Sequence, residues 1–192
     1  PTYEMKGFGV EFLRHSLDIL TRQTFKDFDV VISDHSQDDS IKKLCDEYAD
    51  KLEIRYFKNT ENRGSSSANL NNAIKHATGK LIKILFQDDF LFDENSLEQT
   101  VTNFDLDKDT WLVSACEHSR DGETFDRPFY PKYNSKIHLG KNTLSSPSTL
   151  TLKNDSPILF DKNLIWLMDC DYYRRCYDKF GAPKILNTIT VV

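Results

Sequence analysis

The stretch LIKILFQDDF, residues 81–90, begins as an apolar run and ends on three polar side chains. A continuous apolar run of this length is typical of a strand buried on both faces of a sheet. Gln87, Asp88 and Asp89 follow it directly. Because a carboxylate at the end of a buried strand costs desolvation free energy unless a partner compensates it, we expect a ligand at this position. The alternative is that both carboxylates cap the next helix or lie in solvent.

Length and charge exclude several classes of protein. The chain has 192 residues and a formal net charge of -5, which suits one domain with its own core and gives no basic stripe for a nucleic acid. No apolar stretch approaches the roughly 18 residues that a membrane-spanning helix needs. The four cysteines are scattered, without a C-x-x-C pair, and predict reduced thiols in an intracellular protein. We expect a cytoplasmic location, with attachment to a membrane surface or a virus-infected host cell as alternatives.

Apolar runs and amphipathic segments alternate along the chain. Strands are predicted at 28–33, 52–57, 80–86, 111–118 and 185–192, and helices at 11–22, from Ser40, at 70–78, 94–104 and 165–180. This alternation predicts an α/β fold with a parallel sheet and right-handed crossovers. Residues 119–137 read as a long polar loop, which suggests a functional flap.

Polar clusters follow several of the predicted strands. They lie at residues 34–36, 62–64 and 87–89, and the segment Pro1-Thr2-Tyr3 opens a helix. Ligands of open α/β sheets bind outside the carboxyl ends of the strands, so we expect these clusters to meet at one edge. Acidic clusters, an arginine and helix N-termini suit a metal-bound, phosphorylated ligand.

Asp88 and Asp89 are predicted to have different roles. Adjacent residues of a strand point to opposite faces. One carboxylate is therefore expected to coordinate a divalent cation such as Mg²⁺ or Mn²⁺. The other would contact a ribose hydroxyl, or reach the same ion if the strand turns.

Four segments together resemble the family 2 glycosyltransferases, which have the GT-A fold. The first two are PTYEMKGFGVEFLRHSLDILTRQTFKDFDVVISDHSQDDS, residues 1–40, and NRGSSSANLNNAIKHATGKLIKILFQDD, residues 62–89. KNTLSSPSTLTLKN, residues 141–154, resembles the acceptor-side segment, and FDKNLIWLMDCDYYRR, residues 160–175, resembles the helix that carries Glu-Asp. The resemblance covers nearly the whole chain, and it is specific as a set of motifs in order.

The resemblance implies a Rossmann-like, mostly parallel central sheet flanked by helices, with a small antiparallel acceptor-side portion. It implies a single domain over 1–192, with a nucleotide-sugar-binding half at 1–104 and an acceptor-binding half at 105–192. It also implies a first strand before Pro1 and makes further domains beyond Val192 plausible. Specificity for the sugar and its acceptor is expected in residues 119–148.

The implied activity is inverting transfer of a sugar from a nucleoside-diphosphate sugar, UDP- or dTDP-linked, to a glycan or another hydroxyl acceptor, as in polysaccharide biosynthesis. Carried over by position, Pro1, Thr2 and Tyr3 would line the base, Asp34 would bind the base or ribose, and Arg63 would lie beside the base or diphosphate. Gln87 and Asp88 would also contact the donor. Asp89 would bind Mn²⁺ or Mg²⁺, and Asp169 would be the catalytic base, with Asp171 in reserve.

The chain departs from the family pattern at several positions. Gln87 stands where the first aspartate of Asp-x-Asp is usual, Met168 replaces the glutamate of Glu-Asp, and Glu4 replaces a common asparagine. An alternative is therefore a catalytically eroded nucleotide-sugar-binding or scaffold module of the same fold.

A sugar-phosphate nucleotidyltransferase would need a Gly-rich loop with a basic residue where PTYEMKGFG stands. Trp166 is either a sugar-stacking platform or a core side chain.

Overall fold

A computed structural model describes residues 1–192 and contains five α-helices and six strands. The helices are α1 (Gly9–Thr21), α2 (Ser40–Glu47), α3 (Ser66–His76), α4 (Ser96–Thr102) and α5 (Met168–Phe180). The strands are β1 (Val30–Asp34), β2 (Ile54–Lys58), β3 (Leu81–Lys83), β4 (Trp111–Cys116), β5 (Leu150–Lys153) and β6 (Lys184–Val191). Short 3₁₀ turns lie at Met5–Gly7, Ile137–Leu139 and Pro147–Thr149.

The strands form two hydrogen-bonded sheets. β1 and β2 pair in parallel, while the larger sheet has the order β3-β5-β4-β6. In that sheet β4 and β6 run parallel, and β5 is antiparallel to both of its neighbours. The α/β fold is thus confirmed, with the first sheet parallel and the larger sheet mixed. β5 is a strand that the sequence did not reveal, because its four residues LTLK lie at the end of a polar segment.

Helix boundaries follow the amphipathic patterns with local adjustments. On α1, the predicted stripe of Leu13, Leu17 and Leu20 is buried. α3 begins earlier than the apolar pattern indicates, because the Ser65 hydroxyl accepts a hydrogen bond from the amide of Ala68 and caps the helix. α5 begins three residues later than predicted, since Leu167 has a left-handed conformation with φ 58°.

The predicted strand at 80–86 is shorter than its apolar run. β3 ends at Lys83, although the Ile84 amide still donates to the Leu150 carbonyl. The chain then turns, and the amide of Asp89 donates to the carbonyl of Phe86 at 3.2 Å. This turn places residues 87–89 at the edge of the sheet.

The core consists of two main clusters. One packs α3 and α5 against β3, β4 and β5 around Trp111 and Tyr173, and the other packs α1 and α2 against β1 around Leu17 and Ile41. The four cysteines are free and buried. None of the helices combines the length and hydropathy that crossing a membrane requires.

An apolar cavity of about 920 Å³ lies between the two sheets. It is lined mostly by hydrophobic side chains, among them Leu17, Ile32, Leu70, Ile82 and Leu97. β1 pairs with β2 along one of its own two edges, and β3 likewise pairs with β5 along one of its two edges. At the other edge of β1, the Thr2 amide donates to Ser33, and the His35 amide donates to Thr2. A void of this size is unusual, since protein interiors are close-packed.

We expect the strand that the sequence resemblance implies before Pro1 to fill this cavity. Free strand edges and apolar walls are the surroundings of a buried parallel strand. Alternation along β1 directs the amides of Val31 and Ser33 toward the cavity and that of Ile32 toward β2. In a chain extended before Pro1 by an apolar strand segment, the Val31 and Ser33 amides should exchange with solvent more slowly. Hydrogen exchange measures this, with Ile32 as internal control, and unchanged Val31 and Ser33 rates would contradict the expectation.

Candidate active site

The amino-terminal segment lies beside the carboxyl end of β1. Thr2 forms a parallel bridge to Asp34: its amide donates to the Ser33 carbonyl at 2.8 Å, and its carbonyl accepts from the His35 amide at 2.9 Å. The amide of Asn69, on α3, donates to the same Thr2 carbonyl at 2.9 Å. Residues 1–3 are therefore held at the sheet edge where the sequence predicts them.

Gln87 connects this segment to the end of the β3 region. Its side chain is buried; Oε1 accepts from the Tyr3 amide at 2.9 Å, and Nε2 donates to the Gly9 carbonyl at 2.6 Å. Gly9 is required for this close approach, because a Cβ there would lie 2.2 Å from the Tyr3 carbonyl oxygen. Since both ends of the amide bind backbone, Gln87 fixes the first turn of α1 against the strand end.

A cavity of about 490 Å³ opens at this edge, within the size range of small-molecule sites. Six of the predicted donor-binding residues line it together: Pro1, Thr2, Tyr3, Arg63, Gln87 and Asp88. The remaining lining residues are Glu4, Met5, His35, Gln37, Gly64, Ser66, Asn69 and Phe86. The three polar clusters and the amino-terminal segment thus meet around one cavity, which we call the donor cavity.

Asp34 lies behind the donor cavity and is fully buried. Its Oδ1 accepts from the Ser36 amide at 2.9 Å and the Ser36 hydroxyl at 2.6 Å, and its Oδ2 accepts from the Tyr56 hydroxyl at 2.6 Å. Lys58 Nζ lies 3.5 Å from Oδ2. These partners compensate the buried charge and order the end of β1. Direct contact of Asp34 with a ligand stays a prediction.

Glu4 and His35 also line the donor cavity, although neither is among the predicted donor-binding residues. The Glu4 carboxylate oxygen Oε2 is buried and has no hydrogen-bond partner, so it is available to a ligand N–H. Met5 and Lys6 follow it with φ of 46° and 54°, a conformation that is uncommon outside glycine. Burial lowers the pKa of His35, whose Nε2 contacts the Glu61 carbonyl oxygen.

The two carboxylates after Gln87 have different surroundings, although they follow a turn and do not alternate along a strand as the sequence predicts. Asp88 is exposed and lines the donor cavity. Asp89 is half-buried, and Ser146 Oγ donates to its Oδ2 at 3.2 Å. Burial raises the pKa of Asp89, while hydrogen bonds from Ser148 and Ser146 act in the opposite direction. Nearby, burial lowers the pKa of Lys83 to about 7, although the Asp89 charge opposes that shift.

These groups fit a cation that is shared with a phosphorylated ligand. No cluster of three or more histidine, cysteine or acidic side chains is arranged to hold a metal by itself. Mg²⁺, however, is usually bound by one or two carboxylates together with substrate phosphates. Asp88, which lines the donor cavity, and the adjacent Asp89 would supply such a pair, and a cation would compensate the partly buried charge of Asp89.

Asp169 and Asp171 lie in the first turn of α5 and differ in their partners. Asp169 Oδ2 accepts from Asn142 Nδ2 at 2.6 Å, whereas Asp171 Oδ2 pairs with Arg175 at 2.7 Å. The cation of Arg175 neutralises Asp171, whereas the partners of Asp169 are uncharged: Asn142 and the amide of Cys170, which donates to Oδ1 at 2.8 Å. Trp166, three residues before Asp169, is 81% exposed, so its interpretation as a core side chain is wrong.

Most of the chain matches a known protein family. The model of the family described as Glycosyl transferase family 2 matches residues 1–172. Uncharacterized glycosyltransferases of Rickettsia prowazekii and Rickettsia typhi are 29% and 30% identical to the chain over 182 residues, 86% of its length. The chain spans about half of these relatives, 54% of each.

Two solved structures share the fold at low sequence identity. Staphylococcus aureus TarS (residues 1–349), in complex with UDP, superimposes with a TM-score of 0.78 at 20% identity, covering 100% of this chain and 57% of that one. The mannosyltransferase PcManGT from Pyrobaculum calidifontis, in complex with GDP-Man and Mn²⁺, has a TM-score of 0.65 at 15% identity, covering 94% and 52%. The chain thus adopts the fold of these two structures.

Gln87→Asp tests whether residue 87 serves the fold or a ligand. The substitution introduces the aspartate usual in Asp-x-Asp, but it removes the N–H donor and shortens the side chain. We expect a loss of about 1–3 kcal/mol in the free energy of unfolding, because buried backbone groups of Tyr3 and Gly9 lose their partner. Urea unfolding measures it. Gln99→Asp, the same change at an exposed position of α4, should cost less than about 0.5 kcal/mol. Undiminished stability with tighter Mn²⁺ binding in Gln87→Asp would contradict the expectation.

Proposed function

Since the chain belongs to glycosyl transferase family 2, we propose that it transfers a sugar from a nucleoside-diphosphate sugar to a hydroxyl acceptor. The observation that carries this proposal is the donor cavity, where Pro1, Thr2, Tyr3, Arg63, Gln87 and Asp88 come together at the carboxyl ends of the strands. The acceptor is proposed to be a glycan or another hydroxyl compound. The chain covers about half of its curated relatives, so the acceptor of the full-length protein is part of the same proposal.

UDP is the nucleotide we favour for the donor. TarS is described with UDP and with UDP-GlcNAc, and PcManGT with GDP-Man. In the donor cavity, the exposed ring of Tyr3 can stack on a base, and the unpaired Oε2 of Glu4 can accept a base N–H. The Arg63 guanidinium, exposed at the cavity wall, suits an oxygen of the diphosphate.

Asp89 is the proposed metal ligand, and Asp88 is near enough in sequence to share it. A bound Mn²⁺ or Mg²⁺ would supply Lewis-acid stabilisation of the diphosphate leaving group. The mannosyltransferase with the same fold is described with Mn²⁺. Ser146 holds one oxygen of Asp89, which leaves lone pairs on the carboxylate for the ion.

Asp169 is the proposed general base. It lies at the start of α5 with one oxygen held by Asn142. In an inverting reaction it would take the proton of the acceptor hydroxyl while that oxygen attacks the sugar, with no covalent intermediate on the protein. The exposed indole of Trp166 lies three residues away, where it could stack against an acceptor sugar.

A catalytically eroded module that only binds a nucleotide sugar is the second candidate. The observation that favours it is the use of Gln87, in the usual place of an acidic ligand, to bind backbone atoms of Tyr3 and Gly9. The two candidates share the donor cavity and differ in turnover. A module of this kind would bind the nucleotide and release no sugar to any acceptor.

A thermal-shift screen tests the donor assignment. UDP, GDP, dTDP and CMP are added with and without Mn²⁺, and a nucleotide that binds the folded protein raises its stability by RT ln(1 + [L]/Kd). We expect UDP with Mn²⁺ to give the largest rise in unfolding midpoint. A larger rise with GDP or dTDP would reassign the base. No rise with any nucleotide would contradict donor binding by these residues.

Asp169→Asn tests the base assignment. Because general base catalysis contributes about 10²–10⁴-fold, we expect kcat to fall by that factor, whereas UDP affinity should stay near that of the native chain. Turnover of UDP-sugar is followed by release of UDP. Asp171→Asn, the same change two residues along α5, is the matched control and should cost far less. Equal turnover of Asp169→Asn and the native chain would exclude Asp169 as the base.

A further inference from the structure

Residues 142–148, which we call the bridging loop, contact both proposed catalytic carboxylates. The loop precedes β5 and includes the start of the 3₁₀ turn Pro147–Thr149. Its first residue, Asn142, binds Asp169 on α5, and Ser146 binds Asp89 after β3. These two acidic residues are far apart in the sequence and on different elements, so one short segment joins the metal side of the site to the base side.

At one end, the hydrogen bonds of Asn142 fix the orientation of its amide. Nδ2 donates to Asp169 Oδ2 at 2.6 Å and to the Ser145 carbonyl at 2.8 Å, while Oδ1 accepts from the Leu144 amide at 2.9 Å. Both donor hydrogens and the carbonyl oxygen have partners, so a flipped amide would lose all of them. The bond to Asp169 is therefore directional and holds one carboxylate oxygen in place.

At the other end, three contacts attach the loop to the segment that carries Asp89. Ser146 Oγ donates to Asp89 Oδ2 at 3.2 Å, and Ser148 Oγ accepts from the Phe86 amide at 2.8 Å. The ammonium of Lys83 donates to the Ser148 carbonyl. The chain from β3 to Asp89 is thus fastened to the same loop that holds Asp169.

The middle of the loop has an uncommon backbone conformation. Ser145 has φ 71°, in the left-handed region, which residues other than glycine adopt only when their surroundings hold them there. The Tyr173 hydroxyl donates to the Ser145 carbonyl at 3.1 Å, and the Thr149 hydroxyl donates to the Ser146 carbonyl at 2.9 Å. These bonds, from α5 and from the 3₁₀ turn Pro147–Thr149, hold the loop and fix the separation of its two ends.

We infer that the bridging loop sets the position of Asp169 relative to Asp89, with Asn142 as the positioning residue of the base. The inference rests on the proposed function, since it assigns a role to the contacts between two proposed catalytic groups. The physical reason is orientation: the base and the cation-bound diphosphate must lie on opposite sides of one sugar carbon, and small displacements cost large factors in rate.

A double-mutant cycle separates this role from a general contribution to folding. Asn142→Ala removes a hydrogen bond to a charged group, so we expect kcat to fall about 10- to 100-fold in the native background. In the Asp169→Asn background, where residual turnover is followed with radiolabelled donor, we expect no comparable further loss, because Asn142 acts through Asp169. UDP affinity in the presence of Mn²⁺ should be retained.

Asn154→Ala is the matched control. The Asn154 amide also donates to two carbonyl oxygens, of Ala77 at 3.1 Å and Gly79 at 2.8 Å, but it touches neither carboxylate. Any effect of Asn154→Ala should be equal in the native and Asp169→Asn backgrounds. If Asn142→Ala also lowers kcat by the same factor in both backgrounds, its role is structural and the inference is overturned.

A spectroscopic readout tests the contact without relying on turnover. In protein labelled with ¹³C-aspartate, the Asp169 carboxyl signal is identified by its absence in Asp169→Asn. We expect Asn142→Ala to move that signal and Asn154→Ala to leave it in place; an unmoved signal in Asn142→Ala overturns the inference. Should Asn142→Ala move the signal while Asp169→Asn keeps full turnover, the base assignment falls and the hydrogen bond between Asn142 and Asp169 stands.

Discussion

The hydrogen bonds of the Gln87 side chain are the interaction on which the candidate site depends. One amide binds Tyr3 and Gly9, so the amino-terminal segment, the first turn of α1 and the end of the β3 region form one edge. The close approach needs a glycine at position 9. Tyr3, Arg63 and Asp88 then surround a cavity that is open to a ligand. If this amide is lost, the Tyr3 amide and the Gly9 carbonyl lose a hydrogen-bond partner, and the cavity loses one of its lining side chains.

Much of the fold can be predicted from the spacing of apolar residues along the sequence. Alternating apolar runs and amphipathic stripes locate five helices and five strands, because burial on one or two faces leaves a readable pattern. The convergence of polar clusters at 34–36, 62–64 and 87–89 follows from parallel geometry, which brings strand ends to one edge. β5 was missed because a four-residue strand, LTLK, gives too short an alternation to distinguish from a loop.

Other features depend on contacts between residues distant in sequence. Nothing near Gln87 in the sequence shows that its amide binds Tyr3 and Gly9, or that Asp34 is surrounded by Ser36, Tyr56 and Lys58. The late start of α5 reflects the left-handed conformation of Leu167, which propensity does not predict for leucine. The same holds for the bridging loop, whose asparagine and serines resemble ordinary turn residues until α5 and β3 are placed beside them.

The central claim is that the acidic strand end after Gln87 holds a cation together with a nucleoside diphosphate. Calorimetric titration of UDP with and without Mn²⁺, in the native chain and in Asp89→Asn, measures this most directly. Asp38→Asn, at an exposed carboxylate bound to Ser40, is the control. We predict that Mn²⁺ tightens UDP binding in the native chain and in Asp38→Asn, and that Asp89→Asn abolishes this gain. The same Mn²⁺-dependent gain in Asp89→Asn would contradict the claim.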